Sequence, residues 1–84
     1  HSGPSFIKKE PKTTELKFVV QDRTGLLNEL SEIIIRSHVH IQSVNAKLPI
    51  IKIECNLLTK DKTEKLIEKI KKIKEVREAS YRLV

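Results

Sequence analysis

Six consecutive residues near the start of the sequence have the types and spacing to bind a charged group: Asp22, Arg23, Thr24, Gly25, Leu26 and Leu27. An alternating apolar run precedes them and an apolar repeat of helical period follows, so a strand ends and a helix begins here. The amides that open a helix have no partner within it and suit a carboxylate or phosphate. Thr24 is predicted to cap the helix, Asp22 to place negative charge near its positive end, and Gly25 to admit another group to the main chain.

Catalytic and metal-binding patterns are not visible elsewhere in the sequence. His38 and His40 have a spacing that can bind a metal on a strand, but no third ligand follows at a suitable distance, so two polar loop histidines are the better interpretation. The single cysteine, Cys55, excludes a disulfide framework and a thiolate cluster, and its place in a strand predicts a small buried side chain. We therefore predict neither a cofactor nor a metal.

The elements that position the loop follow from hydrophobic periodicity. The predicted elements are a strand over 14–21, a helix over 26–37, a strand over 39–48 with a bulge near Gln42-Ser43, a strand with Ile51, Ile53, Cys55 and Leu57 inward, a helix from about Asp61, and a strand from about Val76. Pro49 marks a hairpin turn between the second and third strands. Asp61 and Glu64 have the spacing of a capping box for the second helix.

Several side chains are assigned to one face or the other by the same periodicity. Leu16, Phe18 and Val20 point inward from the first strand. Leu30 lies at the centre of the apolar side of the first helix, whereas Ile35 falls on the opposite side.

The order strand, helix, strand, strand, helix, strand predicts an α+β protein of ferredoxin-like type. Right-handed crossovers and the hairpin select a two-layer sandwich with antiparallel strands in the order 4-1-3-2 and both helices on one face. Residues 1–13 have little to bury and are predicted to be a linker or disordered tail, so the folded domain spans 14–84.

Composition narrows the function classes further. The chain has 84 residues and a net charge of +6, which permits but does not require an anionic partner. The single cysteine fits a reducing compartment, and neither a membrane span nor a signal peptide is visible, so we expect a cytoplasmic protein. The absence of methionine predicts a fragment of a longer chain. The small core makes self-association a reasonable expectation.

Two other uses of this fold can be tested against the sequence. RNA-recognition modules stack bases on aromatic residues of the central strands, and residues 50–56 contain none. The second helix is rich in lysine, but Glu64 and Glu68 interrupt the run, which indicates a solvated face. A weak electrostatic contact with RNA phosphate stays open.

With the motifs placed, the chain resembles the ACT domain family over residues 14–84. The family signature is an apolar strand that runs into Asp-Arg-x-Gly-Leu-Leu, which here is Asp22-Arg23-Thr24-Gly25-Leu26-Leu27. This motif, followed by Ile41-Gln42-Ser43-Val44-Asn45, is most similar to the C-terminal ACT domain of RelA/SpoT-type (p)ppGpp synthetase/hydrolases (GTP pyrophosphokinases). Thr24 departs from the proline that many relatives carry.

The resemblance implies a regulatory, non-catalytic domain. Family members commonly pair side by side and bind a small effector, often an amino acid, between the first loop and the second strand. The implied site comprises Asp22, Arg23, Thr24, Gly25, Leu26 and Leu27, with Ser43 and Asn45 nearby. In the (p)ppGpp enzymes the domain senses state and, with its neighbours, contacts the ribosome.

Two alternatives stay open at this point. The domain can be an assembly module, in the same or another metabolic enzyme or regulator, that dimerises or docks without a small ligand. An acylphosphatase-type enzyme shares the fold, but it needs an arginine–asparagine pair around a phosphate loop, and we rank it last.

Overall fold

The computed structural model describes residues 12–84. Its elements are β1 (Thr13–Val20), α1 (Leu26–Arg36), β2 (Ile41–Lys47), β3 (Ile50–Asn56), α2 (Lys60–Lys71) and β4 (Val76–Leu83). The four strands form one antiparallel sheet in the order β2-β3-β1-β4, which is the predicted order 4-1-3-2 counted from the other edge. Residues 1–11 of the predicted linker lie outside the described residues, and that assignment stays a prediction.

The two central strands alternate as the sequence predicts. Leu16 and Phe18 of β1 are buried and lie opposite Ile53 and Ile51 of β3, which are also buried. Burial of each such side chain contributes about 1.5–3 kcal/mol to the free energy that stabilises the fold. The intervening residues point to the other face of the sheet, which carries no helix, and this helix-free face is predominantly polar.

The helices cover the apolar face of the sheet with one stripe each. Leu26, Leu30 and Ile34 of α1 are buried, while Ile35 is 61% exposed, as predicted for the far side of the helix. From α2 the core receives Leu66 and Ile70, together with Thr63, which the apolar pattern does not reveal. Neither helix of the described residues is long and apolar enough to cross a membrane.

The end of β3 differs from the prediction. Leu57 was expected to point inward but is 46% exposed, and its neighbour Leu58 is buried with 8% exposure. The strand ends at Asn56, so alternation no longer applies at Leu57. Instead the Leu58 amide donates to the hydroxyl of buried Thr14 at 3.1 Å, which turns the Leu58 side chain into the core.

The start of α2 also differs. Asp61 and Glu64 do not form the expected capping box, because the helix begins at Lys60 and Thr59 is its N-cap. The Thr59 hydroxyl accepts a hydrogen bond from the Lys62 amide at 3.2 Å. The cap therefore lies two residues earlier than predicted, and Asp61 is an acidic residue of the first turn.

The predicted bulge in β2 is confirmed. Pairing passes from Ile41 opposite Cys55 to Ser43 opposite Glu54, so Gln42 is the additional residue. Val44 and Ala46 then lie opposite core residues of β3 and share their face. Val44 is nevertheless 42% exposed, because β2 is the edge strand and α1 does not cover it fully.

Candidate functional site

The first loop, residues 21–25, connects β1 to α1 and is shaped by its glycine. Gly25 is the N-cap of α1 and has φ +80° and ψ 0°, a left-handed conformation that glycine adopts without strain. Its carbonyl accepts from the Glu29 amide at 3.0 Å, and the Arg23 carbonyl accepts from the Leu26 amide at 3.1 Å. The prediction that Thr24 caps the helix is wrong, because the cap position belongs to Gly25 and no side chain caps this end.

The consequence is a helix start with free donors. Within residues 12–84, the backbone amides of Leu27 and Asn28 donate to no protein acceptor. A Cβ at Gly25 would meet no other atom within 4 Å, so the space around this position is open. Only the backbone conformation therefore demands glycine at this position.

A cavity of about 340 Å³ lies between the first loop and β2; we call it the loop cavity. The sequence-predicted residues that line it are Asp22, Arg23, Thr24, Gly25, Leu26 and Leu27. Four further lining residues were not predicted: Asn28, Ala46, Leu48 and Ile51. The alternation of residues in β2 is the signal that could have found Ala46 and Leu48, because it places them on one face.

The structure does not bring Ser43 and Asn45 to the loop cavity. They lie opposite Glu54 and Lys52 of β3, on the helix-free face of the sheet. The reason is strand alternation, since placing Val44 and Ala46 on the helix side sends their neighbours to the other side. Ser43 contacts the Glu54 carboxylate at 3.4 Å.

Arg23 has structural partners within the domain. Its guanidinium pairs with the Glu29 carboxylate and, at 3.0 Å, with that of Glu75, the residue before β4. The hydrogen bond with Glu29, and to a smaller extent that with Glu75, raises the pKa of Arg23 above its ordinary value. The Gln21 amide also donates to the Glu75 carbonyl at 2.8 Å, so the first loop is attached to the start of β4 at two points.

The loop cavity therefore combines three kinds of surface. Two unpaired amides can donate to an anionic group, and the exposed Asp22 carboxylate, which has no salt bridge within the described residues, can accept from a cationic one. Ala46, Leu48 and Ile51 supply an apolar wall. Thr24 adds a hydroxyl to the lining, and these surfaces together suit the binding of a small ligand.

Metal binding has no support in the part of the chain that the structure describes. No group of three or more His, Cys, Asp or Glu side chains comes together there. His38 and His40 are both exposed, on either side of buried Val39. They lie in the connection from α1 to β2, and the His40 amide donates to the Asn56 side chain of β3 at 2.9 Å.

The chain shares its family and its fold with known proteins. The family model described as "ACT domain" matches residues 8–80. The chain belongs to the ACT domain family. The resemblance inferred from the first loop is thereby confirmed, and since ACT domains are regulatory rather than catalytic, this chain is a regulatory domain.

Solved structures share the ACT fold with this domain. The ACT domain of GTP pyrophosphokinase from Chlorobium tepidum has a TM-score of 0.69 at 21% identity, covering 87% of this chain and 100% of that one. The regulatory subunit of aspartate kinase from Thermus thermophilus has a TM-score of 0.70 at 10% identity, covering 88% and 50%. Escherichia coli aspartokinase III, in complex with lysine and aspartate, has 0.63 at 16% identity, covering 86% and 17%. No curated protein sequence matches the chain.

Proposed function

We propose that this ACT domain binds an amino-acid effector in the loop cavity and thereby controls a cytoplasmic (p)ppGpp synthetase/hydrolase of which it is the C-terminal part. The observation that carries the proposal is the loop cavity itself, where free amides, one carboxylate and an apolar wall converge. Its volume of about 340 Å³ lies within the range of small-molecule sites, about 300–1,000 Å³.

The three surfaces match the three parts of an α-amino acid. The amides of Leu27 and Asn28, at the positive end of α1, suit the α-carboxylate. Asp22 suits the α-ammonium group through a charge-assisted hydrogen bond. Ala46, Leu48 and Ile51 suit an aliphatic side chain, so branched or unbranched aliphatic amino acids are the expected effectors.

The parent enzyme is inferred from similarity. The first-loop motif and the fold of the Chlorobium tepidum GTP pyrophosphokinase ACT domain support a (p)ppGpp enzyme. In that setting the domain, with its neighbours, contacts the ribosome, and the lysine-rich α2 offers positive charge for rRNA phosphate.

A homodimer would complete the loop cavity. The cavity opens beside the edge strand β2, where Val44 and Leu48 are exposed and backbone groups lack a neighbouring strand. Such an edge invites pairing with a second copy. Sedimentation should therefore give a dimer at micromolar concentration, and only a monomer mass of 9.7 kDa at high concentration would contradict it.

The experiment that tests effector binding is an amide-shift titration of the ¹⁵N-labelled chain with individual amino acids. Saturable shifts should concentrate at Gly25, Leu27, Asn28 and Ala46. Asp22→Asn should weaken binding about tenfold, since a hydrogen bond between charged groups is lost. Asp61→Asn on α2 makes the same change of charge away from the cavity and should bind like the parent. Shifts that spare the first loop for every amino acid would refute the proposal.

The alternative function is an assembly module without a small ligand. The exposed apolar edge of β2 favours it independently, because an interface needs that surface whether or not an effector is present. It predicts a dimer that sediments identically with and without amino acids and a first loop that shows no shift. The same titration therefore distinguishes the two functions.

A further inference from the structure

The helix-free face of the sheet carries a row of four polar residues that crosses all four strands. Asn45 lies opposite Lys52, Lys52 opposite Lys17, and Lys17 opposite Ser80. Neighbouring strands lie about 4.8 Å apart, so the row is about 14 Å long. We call these residues the lysine row. All four are exposed, and each side chain can donate a hydrogen bond.

The two central members of the row carry the same charge. Lys17 and Lys52 are direct cross-strand partners, and like charges in this position destabilise a sheet. Neither forms a salt bridge within residues 12–84. Lys47 lies one step along β2 on the same face and adds a third positive charge beside Lys52. The positive charge of this face is therefore concentrated at its centre.

The nearest carboxylates are engaged with other partners. Glu15 accepts from the Arg82 guanidinium at 2.9 Å. Glu54 accepts from the Thr13 hydroxyl at 2.8 Å and also contacts Ser43. Arg82 balances the charge of Glu15, whereas the hydroxyl donors leave the charge of Glu54 in place. Neither acid forms an ion pair with Lys17 or Lys52 within residues 12–84.

The face is concave on both sides of Lys52. A cavity of about 260 Å³ is lined by Lys17, Lys52, Ser80 and Tyr81 and by the paired side chains of Glu15 and Arg82. A second cavity of about 140 Å³ is lined by Asn45, Lys47, Ile50 and Lys52. Lys52 belongs to both, so an anion bound at the centre of the row has space on either side.

The acidic residues limit the size of an anion that fits. Glu15 and Glu54 lie next to the row on one side, and Glu78, opposite Val19, lies beyond it on the other. An extended polyanion that runs parallel to the strands would meet these carboxylates and be repelled. The charge pattern therefore favours a compact anion whose negative charge is confined to the row.

We propose that the lysine row is a second binding site, for a compact polyphosphate anion, on the face of the sheet opposite the loop cavity. Lys17 and Lys52 hold the phosphate oxygens by charge-assisted hydrogen bonds, and Asn45 and Ser80 donate from the two ends. The site is independent of the effector proposed for the loop cavity, since the two share no residue.

The test is a titration of the full ¹⁵N-labelled chain with sodium tripolyphosphate at fixed ionic strength. We expect saturable shifts at Asn45, Lys52, Lys17 and Ser80. The double variant Lys17→Gln/Lys52→Gln should weaken binding by about tenfold or more. Lys62→Gln/Lys65→Gln on α2 removes the same charge elsewhere and should bind like the parent. Melting curves of both variants establish that they are folded, since removing the repelling pair should not destabilise the sheet.

The outcomes decide the proposal in both directions. GDP that binds as tightly as tripolyphosphate, or more tightly, supports the site and indicates a nucleotide as its natural source. Shifts that sodium chloride reproduces at the same ionic strength, or equal weakening by the two double variants, would show general charge attraction and overturn it. Tighter binding of a single-stranded RNA oligonucleotide, with shifts that extend over Glu15 and Glu54, would replace the compact ligand with a nucleic acid.

Discussion

Arg23 Nε lies 3.0 Å from Glu75 Oε1, and this ion pair joins the first loop to the residue before β4. The same guanidinium pairs with Glu29 in the first turn of α1. The loop that shapes the cavity is therefore held both by the first turn of α1 and by the residue before β4, which are distant from each other in sequence. Arg23 was predicted as a ligand-binding residue, and although it lines the loop cavity, its charge is already matched by carboxylates of the domain.

Replacing Arg23 should loosen the first loop while leaving the fold intact. In Arg23→Gln we expect faster hydrogen exchange at the amides of residues 24–27 and a slightly lower melting temperature, because surface ion pairs contribute little to global stability. Arg36→Gln is the matched control, since the ion-pair partner of Arg36 within residues 12–84 is Glu32 of the same helix. Equal acceleration of loop exchange in both variants would show that the ion pairs of Arg23 do not hold the loop.

Core truncations should separate the buried from the exposed positions. Leu30→Ala and Ile53→Ala each remove a fully buried side chain and should lower the free energy of unfolding by about 2–5 kcal/mol. Ile35→Ala, at a position 61% exposed, should change it by less than about 0.5 kcal/mol. Urea denaturation measures all three, and a loss at Ile35 equal to the others would contradict the packing of α1.

The fold could be predicted because its determinants are local. Alternation in β1 and β3 and the helical stripes each specify a buried face, and the short connection at Pro49 requires a hairpin, so element order leaves few topologies. The sequence failed where an element ends. The predicted alternation was carried past Asn56 to Leu57, where the strand has already ended. It could not be corrected from the sequence, because the hydrogen bond from Leu58 to Thr14 joins residues 44 positions apart.

The lining of the candidate site was predicted only where it is formed by residues that are contiguous in sequence. Contiguous residues of the first loop stay together in space, so six of them line one cavity. Ser43 and Asn45 were added through the family resemblance, yet the bulge at Gln42 places them on the helix-free face. The partners of Arg23 were not predictable, since no periodicity links residue 23 to Glu75.

The cap of α2 gives a direct comparison between prediction and structure. Thr59→Ala removes the hydroxyl that accepts from Lys62 and should cost about 0.5–2 kcal/mol. Thr59→Ser keeps an acceptor and should stay close to the parent. Asp61→Ala should cost less than Thr59→Ala, because Asp61 contributes only through the helix dipole. Thermal unfolding gives the order, and a larger loss for Asp61→Ala would restore the original capping assignment.

Cys55 should make stability fall at alkaline pH. Burial, and to a smaller extent Glu54, raises the pKa of its thiol above the ordinary 9.0. Well below pH 9.0 the thiol is protonated in both states. As pH rises through 9.0 the unfolded chain ionises first, which lowers the stability of the folded state until the folded thiol also ionises. The parent should therefore lose stability relative to Cys55→Ala above pH 9.0. An unchanged difference between the two denaturation curves would contradict this.

Gly25 distinguishes a structural from a functional role of the first loop. Its φ of +80° strains any L-residue, but the position of a Cβ is open, so substitution brings strain without a clash. Gly25→Ala should cost about 1–2 kcal/mol. Gly25→Asn should cost less, because asparagine tolerates the left-handed conformation.

Effector binding should rank these two variants in the opposite order. The asparagine side chain is the larger of the two at a position that lines the loop cavity, so Gly25→Asn should bind more weakly than Gly25→Ala although it is more stable. Melting curves and amide-shift titrations of both variants measure the two orders separately. If the less stable variant is also the weaker binder, the glycine is purely structural. If both folded variants bind like the parent, access to these amides is not used, and an effector site would have to lie away from the start of α1.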